Sequence, residues 1–236
     1  MIKKEFVILV RSLKHKKYCV AGREIERVDG RVRLLENWIR PVNPSNEKGA
    51  VDEADILYSD RSQPRFLDVI QIQVEDKEDD AIQHENWVLA PGQWKKLGRV
   101  ELHAVLNNLV QDPESLWLGK GMSDRITESE YFSRGYEGSM CLVEAEELEI
   151  RIFTTKNDFD NKLKRQRRAI FKYRDVEYNL PITDTDIDKR YFSDFPGLGQ
   201  PVRIIKPEAS RCLVAVSITP EFHGFHYKIV GNIIEI

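Results

Sequence analysis

The chain has 236 residues, 41% hydrophobic and 32% charged, enough for two units of about 100 to 130 residues, each with its own core. Its formal net charge of -3 excludes a uniformly basic, histone-like protein, so the placement of charge carries the information. Three scattered cysteines, with no CxxC pair and no histidine at zinc-finger spacing, exclude a disulfide framework or structural zinc, and the absence of a signal-peptide core or bilayer-length apolar run predicts a soluble protein in a reducing cytoplasm.

In chain order, Phe6–Val10 is apolar and β-branched throughout, the pattern of a strand buried on both faces, and a basic connection from Arg11 to Lys17 follows it. Tyr18 to Ile25 predicts a second strand, and Asp29-Gly30 a hairpin reversal. Val32 to Val42 predicts a third strand ending at Pro41 and Pro44, because proline gives no N–H to a ladder. After a loop from Asn43 to Arg65, Leu67 to Val74 alternates apolar and polar residues.

Leu97, Val100, Leu102, Val105, Leu106 and Leu109 recur at offsets of three and four, which predicts a helix over 99–110. Gly119 to Gly138, with four glycines, reads as a loop-rich bridge. Strands are then predicted over Leu142 to Phe153, Ala169 to Tyr173 and Tyr178 to Ile182, with Arg174-Asp175 turning the chain. Thr183 to Tyr191 predicts a short helix with acids in its first turn and cations in its last. Cys212 to Ile218 and Tyr227 to Ile234 are the final strands. Three strands, a helix and two strands is the element order of an OB barrel, and the second half follows it more closely than the first.

The expected architecture is therefore mainly β: two OB-like five-stranded barrels joined by a helical bridge. The domains run 1–92, 93–138 and 139–236.

Several stretches carry a family resemblance. Phe6 to Arg11 leading into Tyr18 to Gly22, then Trp38 to Val42, resembles the N-terminal part of bacterial dual OB-containing domain proteins. Glu85-Asn86-Trp87, Leu148 to Ile152 and Gly224 to Val230 are similar to further stretches of that family, so the likeness runs over nearly the whole chain. The resemblance implies two OB barrels and a nucleic-acid-binding part in a bacterial defence or conflict system. It brings no catalytic residues.

Two basic stretches carry the candidate chemistry. From Lys162 to Arg174 there are seven Lys or Arg and no acid, and Lys164, Arg165, Arg167, Arg168, Lys172 and Arg174 surround Phe171. Single-stranded nucleic acid asks for that mixture, because cations track phosphates while rings stack on bases. Four phosphate contacts would give a slope of log affinity against log salt of roughly -3. The competing reading makes these solvated hairpin charges beside an acidic loop. The first stretch, Arg11, Lys14, His15, Lys16, Lys17 and Tyr18, lies between the first two strands, a connection OB barrels use to grip ligands, or else its lysines protect a strand edge. Arg40 beside Trp38 is a further candidate for stacking or phosphate, although packing explains Trp38 and Trp87 better.

Between the basic stretches, Glu75 to Glu85 carries six acids, read as facing away or mimicking the ligand. His223 and His226 suit exposure or hydrogen bonding better than a metal, and Asp184, Asp186 and Asp188 suit helix capping better than a calcium loop. Nucleotide-binding and hydrolase motifs are missing, and no cofactor is implied. The function expected is non-catalytic binding of single-stranded DNA or RNA. The alternatives are an adaptor holding a protein partner and a nucleotide-acting enzyme with an unfamiliar site.

Overall fold

The computed structural model describes residues 1–14, 17–46, 49–156, 162–184, 186–193 and 202–236. It divides the chain into two compact units, the first holding 1–111 with 137–140 and the second 112–136 with 141–236. Residues 93–138 are thus shared between the units. No described helix is long and apolar enough to cross a membrane, and none of the three cysteines is in a disulfide.

The first unit contains β1 (Ile2–Lys14), β2 (Lys17–Val28), β3 (Arg31–Val42), α1 (Glu53–Ile56), β4 (Asp68–Lys77), β5 (Asn86–Leu89) and β6 (Lys95–Arg99). The sheet order is β1-β2-β3-β5-β4-β6, and β1 also pairs with β4, so five strands close into a barrel. Closure rests on β3 and β5, which run parallel with Arg40 opposite Asn86 and Val42 opposite Val88. That pairing explains why Pro41 does not end β3. In a parallel pair only alternate N–H groups face the neighbour, and the Arg40 N–H donates to the Glu85 carbonyl at 2.8 Å.

Inside the barrel, Phe6, Ile8, Val20, Ile39, Ile70, Ile72, Val74 and Trp94 form one apolar cluster. The turn at Asp29-Gly30 has positive φ at both residues, 50° and 75°, matching the right-handed twist of the hairpin arms. The register of β1 on β2 shifts between Ile8 and Val10, a bulge that curves the sheet. It brings the Val7 carbonyl so near Gly22 that a Cβ there would lie 1.8 Å from the oxygen.

The expected helix over 99–110 is shorter than its periodicity suggested. Residues 95–99 belong to β6, paired with β4, and the Val100 N–H donates to the Leu67 carbonyl at 3.1 Å. Those ladder bonds leave only α2 (Leu102–Val105) and a 3-10 turn over Leu106–Asn108. Leu97, assigned to the helical stripe, is 40% exposed on β6.

The second unit contains β7 (Arg125–Ile126), α3 (Glu128–Ser133), β8 (Met140–Lys156), β9 (Leu163–Tyr173), β10 (Val176–Pro181), α4 (Ile187–Tyr191), β11 (Arg203–Ile205), β12 (Cys212–Ile218) and β13 (His226–Glu235). Its sheet runs β10-β9-β8-β12-β13-β7, with β11 added on β8. The two ends of the OB part meet at one parallel bridge, Ile182 with Val230, so this half-barrel is less closed than the first. The stretch read as a loop-rich bridge holds α3, whose Thr127 and Glu130 side chains form a reciprocal cap. The Glu130 carboxyl is held down to about 2, because the Lys120 and Thr127 N–H groups and the Thr127 hydroxyl all donate to it.

Beneath β13 lies a fully buried lysine. Lys228 donates from Nζ to the Ser123 carbonyl at 2.8 Å, and the Tyr178 ring is 5.7 Å away. Burial pushes its pKa down to about 8, against the pull of Asp124 and Glu130.

Two outcomes follow from these contacts. Gly22→Ala must displace backbone, so it should cost the first unit about 3 kcal/mol or more, read as a lower denaturant midpoint. For Lys228, the unfolded chain keeps its proton up to about 10.5 while the folded chain releases it near 8. The unfolded state binds more protons in that window, so stability should rise with pH across it, by about 3 kcal/mol. Lys228→Met should flatten the rise in chemical denaturation at stepped pH.

Candidate nucleic-acid interface

The basic stretch of the second unit is a strand rather than a loop. In β9 the side chains alternate, so consecutive cations cannot share one surface. Ala169, Phe171 and Tyr173 point into the core. Phe171 stacks on Tyr178 with ring centroids 5.5 Å apart, so it is a core residue and offers no face to a base.

Arg165 and Arg167 follow the same inward phase and bind α4. Arg165 Nη1 lies 3.2 Å from Asp188, and Arg167 donates from Nε and Nη2 to both Asp188 oxygens. These bonds, chiefly from Arg167, hold the Asp188 carboxyl below its ordinary range. The pair fastens a short helix to the barrel. Arg174, on the turn, is paired with Asp112 at 2.8 Å, and Lys172, on the outer face, with Glu147 at 2.8 Å.

The candidates of the first unit are engaged in a similar way. Arg11 donates to Gln63 at 2.9 Å and to the Pro64 carbonyl at 3.1 Å. Lys17 pairs with Asp52 at 2.9 Å and also donates to Asn46. The Asn46 and Lys17 bonds together lower the Asp52 carboxyl from its ordinary value. Tyr18 packs against the barrel core, and its hydroxyl accepts from Gln63 at 3.2 Å.

Arg40 corrects the expectation of an exposed phosphate ligand. It meets Glu85 at 3.0 Å with side chains only 11% and 5% exposed, and Glu85 also accepts from the Ser139 hydroxyl. The Lys14 side chain and all of His15 and Lys16 lie outside the described residues.

The acidic segment is partly structural too. Asp80 accepts from the Ile82 and Gln83 N–H groups, and Glu78 from Asn86.

What remains gathers on the outer face of β8, β9 and β10. A cleft of about 520 Å³ opens there, lined by Arg151, Phe153, Thr155, Gln166, Arg168 and Ile170, with Asn179 and Val202 at its sides. Register produces it: Arg151 stands opposite Arg168, Phe153 opposite Gln166, and Thr155 opposite Lys164. Arg168 is steadied by Asn179, donating to its side-chain oxygen at 2.7 Å and to its carbonyl. Burial lowers the Arg168 pKa from its ordinary value. Arg151 donates to Glu149 at 2.7 Å. Neither Lys164 nor Arg168 forms an ion pair among the described residues.

Arg151 and Phe153 were missed from the sequence, although the signal was present. Ile150 and Ile152 are buried, so the residues between and after them must face outward. A second feature lies on the β12–β13 turn, where Arg125 sits 5.1 Å from the Phe225 ring and 5.8 Å from the Tyr227 ring, next to a half-exposed Phe222. His226 is buried there, with Nδ1 3.0 Å from the Thr219 carbonyl. Among the described residues no group of three or more His, Cys, Asp or Glu could hold a metal.

The chain matches no curated protein and no solved structure. One family model does match, over residues 4–233, and its description agrees with one closed barrel and one half-barrel in the same chain. The chain thus belongs to the dual OB-containing domain family.

Proposed function

We propose that this chain is a binding module for single-stranded nucleic acid, and that the strand lies in the cleft on the outer face of β8–β10. The observation that carries the reading is one cleft that holds the facing pair Arg151 and Arg168 with Phe153 next to it along β8, and Lys164 opposite Thr155. The ring offers a stacking surface, and the cations can follow the phosphates. The place fits the fold, since OB barrels bind oligonucleotides on the face of their second and third strands, here β9 and β10. The setting implied by the resemblance, a bacterial defence or conflict system, belongs to the same proposal.

A second reading, an adaptor for a protein partner, draws on the exposed Phe222 and on Val202 and Ile204, each at least 50% exposed.

Binding of fluorescent single-stranded DNA and RNA over a salt series separates the two. With three phosphate contacts the slope of log affinity against log salt should be roughly -2. Arg168→Ala should make it shallower by about 0.7. Phe153→Ala should weaken binding by about 1 to 3 kcal/mol with little change in slope. Arg167→Ala serves as the contrast: the slope should stay, while loss of the Asp188 contact lowers the melting midpoint by about 4 °C. A wild-type protein that binds neither nucleic acid at low salt would leave the adaptor reading.

A further inference from the structure

A second cleft, of about 460 Å³, adjoins the first and shares Arg151 and Ile170 with it. Its character is opposite. Glu147, Glu149 and Glu177 line it, together with Lys206. The outer face of the second unit therefore changes from cationic to carboxylate-rich across Ile170, whose register partners are Glu149 on β8 and Asn179 on β10.

Along β8 the step from Arg151 to Glu149 is two residues, about 7 Å of strand, and along β10 the step from Asn179, which holds the Arg168 guanidinium, to Glu177 is the same. That lies within the span of one nucleotide, from its phosphate to the far edge of its base. A phosphate held at Arg151 and Arg168 would lay its base over Ile170, with the base edge directed at the carboxylates.

These carboxylates are not equivalent. Glu149 accepts from Arg151 and is also 3.3 Å from Lys206, and Glu147 is paired with Lys172. Glu177, exposed on β10 and opposite Lys172 in the ladder, has no side-chain hydrogen bond among the described residues, so both of its oxygens can accept.

An ionised carboxylate accepts and cannot donate, so it selects the base edge that presents donors. Guanine offers N1–H and an N2 amine side by side, a match for the two oxygens of one carboxylate. Thymine and uracil offer a single N3–H between two carbonyl oxygens, which a carboxylate repels. We infer that the cleft beyond Ile170 reads base identity, with Glu177 as the specificity-determining residue and guanine as the preferred base over thymine or uracil. The inference rests on the nucleic-acid reading given above.

The test compares a fluorescent twelve-residue oligo-dT with the same oligomer carrying one guanine at its centre, and with one carrying inosine there, at a single salt concentration. The guanine oligomer should bind about tenfold tighter than oligo-dT, and inosine, which keeps N1–H and lacks the amine, should fall between them. Glu177→Gln is a surface change that leaves the sheet intact; it should bring the two oligomers to within about twofold of each other, weakening the guanine oligomer and easing the repulsion of oligo-dT. Equal binding of guanine and thymine oligomers by the wild-type protein would overturn this inference and leave the nucleic-acid reading in place. A preference that survived in Glu177→Gln would remove Glu177 from the role. Failure of all three oligomers to bind would overturn the nucleic-acid reading itself, and this inference with it.

Discussion

In a small barrel each strand must send alternate side chains into a closed interior, and the rest of this structure depends on that constraint. It sends Ala169 and Phe171 inward and leaves Arg168 and Ile170 outside, lining a cleft. It also fixes the neighbours. Because β8 and β9 pair with Arg151 opposite Arg168, two guanidinium groups are brought together on the outer face. Their repulsion is offset by Glu149 on one side and Asn179 on the other. The cleft is therefore a product of register as much as of composition.

Charge pairing decides which cations remain available. Exposed ion pairs such as Lys172 with Glu147 contribute about 0 to 1 kcal/mol, and a phosphate can compete for them. Asp188, gripped by two arginines, and Glu85, buried with Arg40, are different, because removing one partner strands the other. Those cations belong to the architecture. A chain with 32% charged residues and a net charge of -3 thus resolves into fixed struts, loosely paired rims and a few cations with no carboxylate on them.

The sequence made much of this fold legible. The strand at Phe6–Val10 announced itself through its β-branched run, the one at Leu67–Val74 through alternation, and the turn at Asp29-Gly30 through its dipeptide. The relative quality of the barrels came out reversed. The first is fully closed because β5, too short and too close to the acidic segment to stand out as a strand, pairs with β3. The interface was half legible. Basic composition pointed to the right strand, but the predicted strand began only at Ala169, whereas β9 starts at Leu163 and its ladder with β8 divides the cations between two faces. Arg151 and Phe153 were hidden in an alternating strand that composition alone does not single out. The engagement of Arg40 with Glu85 spans 45 positions in sequence and comes from barrel closure, which no local pattern encodes.

The chain does not finish one unit before entering the other. It leaves the first at Gln111, returns for Glu137–Met140, and departs again at Cys141. The four-residue return delivers Ser139, whose hydroxyl bonds the Glu85 carboxylate that holds Arg40. No single cut can therefore yield two intact halves: a fragment ending at residue 111 keeps every barrel strand of the first unit yet loses a ligand of its buried ion pair. The two barrels are, in this sense, inherited together.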